Sequence, residues 1–137
     1  MKNLILTLLF AVAAGSWGRA GAQMIIASAN VKAAEVSKSD LKDIFSGASS
    51  TVGGTHVTPV LLKAGPANEE FLSAYVGKSD LAFRMGWRSL VFSGQATMPR
   101  SFDNEAALVD YIAHNPGMIG YIGKGTPHEG VKVIAVK

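Results

Sequence analysis

The chain has 137 residues, with 13 Lys+Arg against 10 Asp+Glu and no cysteine. That length suits one domain, and the missing thiols exclude disulfides, thiolate catalysis, cysteine-ligated metal and lipid attachment through a cysteine. No stretch combines a basic run with interleaved aromatics, so nucleic acid is not an expected partner.

The first residues read as a targeting segment. Lys2 supplies a positive start, Leu4–Ala14 is an almost unbroken apolar run, and Ala20-Gly21-Ala22 offers a small-residue processing site. This pattern predicts a secretory signal peptide over residues 1–22, cleaved before Gln23. The apolar run is too short to cross about 30 Å of hydrocarbon. Removing Lys2 and Arg19 with it leaves 11 basic and 10 acidic residues, a net of +1. The pI of 9.3 for the whole sequence therefore overstates the basicity of the expected product. That product, residues 23–137, is expected to be a soluble domain in a periplasm-like compartment, with no membrane span once the leader is gone.

Met24–Ala29 is an apolar run that predicts a buried strand. Ser37 and Ser39 offer N-caps for a first helix, in which Leu41, Ile44 and Phe45 share one face and Gly47 marks the end. Ala48–Thr55 is small and polar and reads as a loop. His56–Leu62 predicts a second strand, with Pro59 at an edge or bulge because it lacks a ladder donor. Gly65-Pro66 opens a second helix, with Pro at its first position and Glu69 and Glu70 near the positive end of the dipole. Phe71, Leu72, Tyr75 and Val76 make its apolar stripe before Gly77.

Ser79 caps a third helix, whose apolar positions are Leu81, Phe83, Trp87, Leu90 and Val91 and which closes at Ser93-Gly94. Asp103 reads as the N-cap of a fourth helix that buries Ala107, Leu108, Tyr111 and Ile112 and ends at Asn115-Pro116-Gly117. Strands at Met118–Ile122 and Val131–Val136 complete the chain. The order β-α-β-α-α-α-β-β predicts an α/β domain with a central sheet flanked by helices. The first two strands are expected to be parallel if adjacent, and the last two antiparallel.

His56, His114 and His128 lie in different elements without HxxxH or HExxH spacing, so no zinc site is indicated. There is no G-x-S-x-G elbow, and no spacing singles out a carboxylate pair; the reading is a non-enzyme without a cofactor. Gly120, Gly123, Lys124 and Gly125 follow a strand, but Lys124 precedes glycine rather than Ser or Thr and no helix follows, so a turn is expected instead of a phosphate loop. The remaining candidate is the junction Leu62–Phe71, where a strand leads into a helix start. Free backbone N–H groups and the positive end of a dipole suit an oxyanion there.

Three blocks resemble a known family. Ser39–Gly47 is similar to the L-x-x-I-F-x-G helix of phosphate-binding proteins of ABC transporters. Trp87–Gly94 followed by Pro99 resembles the short, phosphate-binding-protein-like family, and Asn115–Tyr121 resembles its N-P-G-x-I-G-Y segment. The resemblance implies a type-II periplasmic-binding-protein fold, of which this chain supplies one three-layer lobe with a mixed sheet of about four strands. It also implies an Arg and a Ser-Gly-Thr cluster at the helix start; anchored on Phe71, those positions carry Leu61, Gly65, Pro66 and Ala67, so the cradle's side chains are absent.

The expected function is therefore that of an exported, solute-binding-protein-like domain. Its weak site for phosphate or another small oxyanion would comprise Lys63, Gly65, Ala67 and Asn68, joined by Ser28 and Asn30 from the end of the first strand. A second copy or an envelope partner would complete the missing lobe. The alternative is an interaction module of an envelope transporter, porin or sensor that has lost the ligand.

Overall fold

The computed structural model describes residues 23–137; the leader expected over residues 1–22 lies outside them. Nine strands and four helices follow one another along this part of the chain. Strands β1 (Gln23–Ala27) and β2 (Glu35–Val36) precede α1 (Lys38–Phe45). A short hairpin, β3 (Thr51–Val52) and β4 (Thr55–His56), interrupts the expected loop and leads to β5 (Thr58–Pro59) and β6 (Leu61–Leu62). Helix α2 (Pro66–Phe71) runs into a π-helical turn, Leu72–Val76, which Gly77 closes by donating to Leu72 O with φ 76°. Then come α3 (Asp80–Phe92), β7 (Ser101–Phe102), α4 (Glu105–His114), β8 (Met118–Gly123) and β9 (Lys132–Val136).

The helix starts follow local chemistry. Ser37 Oγ accepts from Asp40 N at 3.0 Å, and Ser79 Oγ accepts from Ala82 N at 3.2 Å. Each hydroxyl satisfies a first-turn donor that the helix itself cannot. At α4 the cap is Asn104, which accepts from Ala107 N at 2.8 Å, one residue beyond the expected Asp103. Asn104 has extended backbone, and its short amide reaches the third residue on.

The main sheet has the order β2-β9-β1-β8-β5, and β6 pairs separately with β7. Strands β5 and β6 are one bent stretch that changes partners. Thr58 N and Val60 N donate to Gly117 O and Ile119 O on the β8 side, while Leu61 N and Lys63 N donate to Arg100 O and Phe102 O on the β7 side. Pro59, whose missing N–H belongs to the outer side, sits just before β7 begins, as an edge proline should.

The expected strand pairings are corrected by this topology. β8 lies between β1 and β5 and is antiparallel to the first and parallel to the second. The first two long strands are therefore neither adjacent nor codirectional. Likewise β1 separates β8 from β9 and is antiparallel to both, so the last two strands run the same way. Strand β1 has long apolar partners on both sides, and inserting it centrally buries Ile25 and Ile26 completely on opposite faces.

Three layers result. Gly120 faces α4, and a Cβ there would stand 2.9 Å from Ile112 Cδ1 and 3.1 Å from Leu108 Cδ2. On the other face Tyr121 stacks on Phe71 of α2, with ring centroids 3.9 Å apart, and meets Phe45 of α1 edge-on. Trp87 ties α3 to this layer by donating from Nε1 to Phe45 O at 2.9 Å. Phe83 and Trp87 are buried, but Leu81 and Val91 are exposed, contrary to the stripe expected for this helix. No element among the described residues covers that side of α3.

Candidate functional site

Two parallel strands, each followed by a helix, build the site. Because β6 and β7 pair in parallel, Leu61 opposite Ser101 and Leu62 opposite Phe102, the starts of α2 and α4 emerge side by side. Between them lies an open cavity of about 450 Å³, lined on one side by Lys63, Gly65, Ala67 and Asn68 and on the other by Asp103, Asn104, Glu105 and Thr126. Ligand sites of α/β sheets commonly occupy this position beyond the carboxyl ends of strands.

The α2 start has no side-chain cap. Pro66 has no N–H, and the helix ladder begins with Glu69 N donating to Gly65 O at 2.9 Å. The N–H groups of Ala67 and Asn68 are thus the first-turn donors left over, with no partner among the described residues. Lys63 Nζ brings a positive charge to the rim but pairs with Asp103 at 3.0 Å, both side chains largely exposed. Across the cavity, Glu105 Oε1 accepts from Gly123 N at 2.8 Å and from the Thr126 hydroxyl.

Asn68 lines the cavity by position, yet its side chain is engaged in the core. Its Oδ1 accepts from Tyr121 Oη at 2.6 Å and its Nδ2 donates to Asp80 Oδ1 at 2.7 Å. Asp80 receives Arg84 Nε on both oxygens, and Arg84 also donates to Leu62 O at 3.2 Å. Leu62 N donates to Tyr121 Oη at 2.9 Å. This network stands in for the backbone ladder where β6 peels away from β8, and it locks the α2 and α3 starts to the sheet. Burial pushes the Tyr121 phenol above its ordinary pKa, against a smaller lowering from the Leu62 N–H. The hydroxyl therefore stays protonated and serves the network as both donor and acceptor.

Ser28 and Asn30 do not join Lys63, Gly65, Ala67 and Asn68. Strand β1 runs opposite to β5, so its carboxyl end lies at the far edge of the sheet, whereas its start, Gln23, reaches Glu70 of α2 at 2.9 Å. There the Ser28 hydroxyl donates to Asn115 O at 2.5 Å, with Ile112 O farther off at 3.2 Å, and accepts from Met118 N, while Asn30 Oδ1 accepts from Gly117 N. Both residues close the turn between α4 and β8. Asp103, Asn104, Glu105 and Thr126 line the cavity although the sequence did not single them out for it. Their signal was weak, because β7 is only two residues long and reads as loop. His56, His114 and His128 stay in separate elements, the last two bonded through Nδ1 to Asp110 O and Thr126 O.

No protein-family model matches the sequence, and no curated protein matches it. The fold does have relatives among solved structures. One is an ABC-type phosphate transport receptor from Vibrio cholerae, at 16% identity and a TM-score of 0.58, over 84% of this chain and 46% of that one. A second is described as a phosphate ABC transporter substrate-binding protein from Clostridium perfringens, with phosphate bound; identity is 16%, the TM-score 0.64, and the match spans 84% of this chain and 44% of that one. A third is PstS from Borrelia burgdorferi, with 16% identity, a TM-score of 0.62, and coverage of 85% and 47%. The fold is that of a phosphate-binding-protein lobe, as the sequence resemblance implied. This chain spans less than half the length of each of these structures.

Proposed function

We propose that the protein acts as an exported relative of phosphate-binding proteins. It takes a small oxyanion weakly between the starts of α2 and α4. The observation that carries this reading is the open cavity of about 450 Å³ at an uncapped helix start, lined by Lys63, Ala67 and Asn68. The phosphate named in the Clostridium perfringens structure supports the choice of ligand class.

The electrostatics argue for weak binding. Asp103 and Glu105 outnumber Lys63 around the cavity, so a fully ionised anion meets net repulsion. A protonated phosphate offers a hydroxyl that a carboxylate accepts, which sulfate lacks at neutral pH; phosphate is therefore the better candidate. Titration calorimetry with phosphate and with sulfate tests the reading. Saturable heat with phosphate supports it, and no heat at millimolar phosphate removes it.

A second reading is favoured by a different observation. Leu61, Gly65, Pro66 and Ala67 stand where the resemblance places Arg and a Ser-Gly-Thr cluster, and the outer side of α3 is apolar and exposed. These features suit a module that kept the lobe and uses its surface to meet a second copy or an envelope component. Export through a leader at residues 1–22 and a periplasmic location belong to both readings. N-terminal sequencing of the protein recovered from the host envelope tests them: a start at Gln23 is the expected result.

A further inference from the structure

Helix α3 carries an apolar flank that no element among the described residues covers. Phe92, Leu81 and Met85 are 90%, 71% and 58% exposed, and positions 81, 85, 88 and 92 recur at three and four residues, so they share one side of the helix. Val91 and Met98, also exposed, border a hollow of about 330 Å³ beside Phe92, with Arg88 at its lip. The five apolar side chains leave on the order of 500 Å² open, at the upper end of what a monomer's largest patch normally reaches.

From Leu81 onward this segment carries charge of one sign. Residues 81–102 hold three arginines and neither Asp nor Glu, although the chain has ten acidic residues elsewhere. Arg84 is engaged internally with Asp80 and Leu62 O. Arg88 and Arg100 have no carboxylate partner among the described residues. The Arg100 guanidinium lies over the Tyr111 ring, 5.2 Å from its centroid, in a neighbouring cavity that Met98 also lines.

We infer that this flank docks on an anionic phospholipid surface. An apolar hollow with a guanidinium at its lip matches an amphiphile: acyl chain against Phe92, Val91 and Met98, phosphodiester against Arg88, with Arg100 left for a neighbouring headgroup. Arginine stems lie along apolar surface while their charged heads stay at headgroup level. A second copy fits less well, because residues 81–102 of either copy hold no carboxylate to meet Arg88 or Arg100. The contact is peripheral, since no helix among the described residues is long and apolar enough to cross a membrane. It is independent of the oxyanion cavity.

Co-sedimentation with vesicles tests the inference, each variant being compared with a parent that has the same N-terminus. The parent should pellet with vesicles containing phosphatidylglycerol, less with phosphatidylcholine alone, and be released by high salt. Arg88→Gln and Arg100→Gln should each weaken partitioning about fivefold, and Phe92→Ser at least about tenfold. Circular dichroism should be unchanged, because these side chains are exposed. Inorganic phosphate should not displace the protein; displacement would assign the arginines to free phosphate and overturn the inference. Failure to pellet, equal pelleting with phosphatidylcholine, or full binding by the Phe92→Ser protein overturns it as well. A doubled mass in solution that Phe92→Ser abolishes would give the face to a second copy, with the same result.

Discussion

Tyr121 Oη donates to Asn68 Oδ1 at 2.6 Å, and this bond engages in the core the side chain of an expected ligand residue. The amide of Asn68 is held between the phenol and Asp80, so only the Asn68 backbone N–H remains for the cavity. Replacing the hydroxyl in Tyr121→Phe leaves both Leu62 N–H and Asn68 Oδ1 unpaired in the core. The expected loss is about 1–3 kcal/mol of unfolding free energy, measured by denaturant titration at neutral pH.

The same residue gives a pH dependence with a defined sign. Burial raises the folded pKa of Tyr121 above its ordinary value of about 10. Above that ordinary value the unfolded chain releases this proton while the folded protein keeps it. The stabilising contribution is therefore complete below pH ~10 and is lost as pH rises from there toward the folded pKa. Unfolding free energy measured across this range should fall less steeply in Tyr121→Phe than in the parent; equal slopes would show that the phenol is not held protonated.

Two glycines should respond to alanine in opposite directions. At Gly120 a Cβ would press on Ile112, Leu108 and Val60 at 2.9 to 3.1 Å, where α4 crosses β8. Gly120→Ala should destabilise by about 1–3 kcal/mol through overpacking. At Gly86, in the middle of α3, a Cβ meets nothing within 4 Å. Gly86→Ala should stabilise by roughly 0.5–1 kcal/mol, because alanine loses less backbone freedom on entering a helix. Thermal melts of the two variants against the parent separate the effects.

Most of the secondary structure was legible because caps and apolar spacing act locally. Ser37, Ser79 and Pro66 begin their helices where the sequence places them, and Leu41, Ile44 and Phe45 are buried together. Strand order was not legible. Nothing local in Gln23–Ala27 says that it inserts between β8 and β9, since long-range pairing is decided by which apolar faces fit together. The site was read halfway for the same reason. Its α2 side follows from one contiguous segment, whereas Asp103, Glu105 and Thr126 arrive through the two-residue pairing of β6 with β7.

Ser28 separates a structural role from a ligand role. Its hydroxyl donates to Asn115 O and accepts from Met118 N in the turn between α4 and β8. Ser28→Ala should lower stability by about 1–3 kcal/mol through the unpaired groups it leaves. Calorimetric phosphate affinity, measured well below the melting temperature, should not change. A large loss of affinity would return Ser28 to the site, against the antiparallel direction of β1.

Glu105 should show function and stability moving in opposite directions. Its carboxylate sits at the first residue of α4, where the helix dipole favours negative charge, and it holds Gly123 N–H and the Thr126 hydroxyl. Glu105→Gln keeps an acceptor oxygen but removes the charge, so unfolding free energy should fall by about 0.3–1 kcal/mol. The same change relieves repulsion across the open cavity, and solvent screening limits the gain to roughly threefold to tenfold in phosphate affinity. Lys63→Gln should lower affinity by a similar factor while leaving stability nearly unchanged, since its pairing with Asp103 is largely exposed. Calorimetry with both variants at low and physiological salt checks the pair. Weaker phosphate binding by Glu105→Gln would overturn the repulsion argued across the cavity.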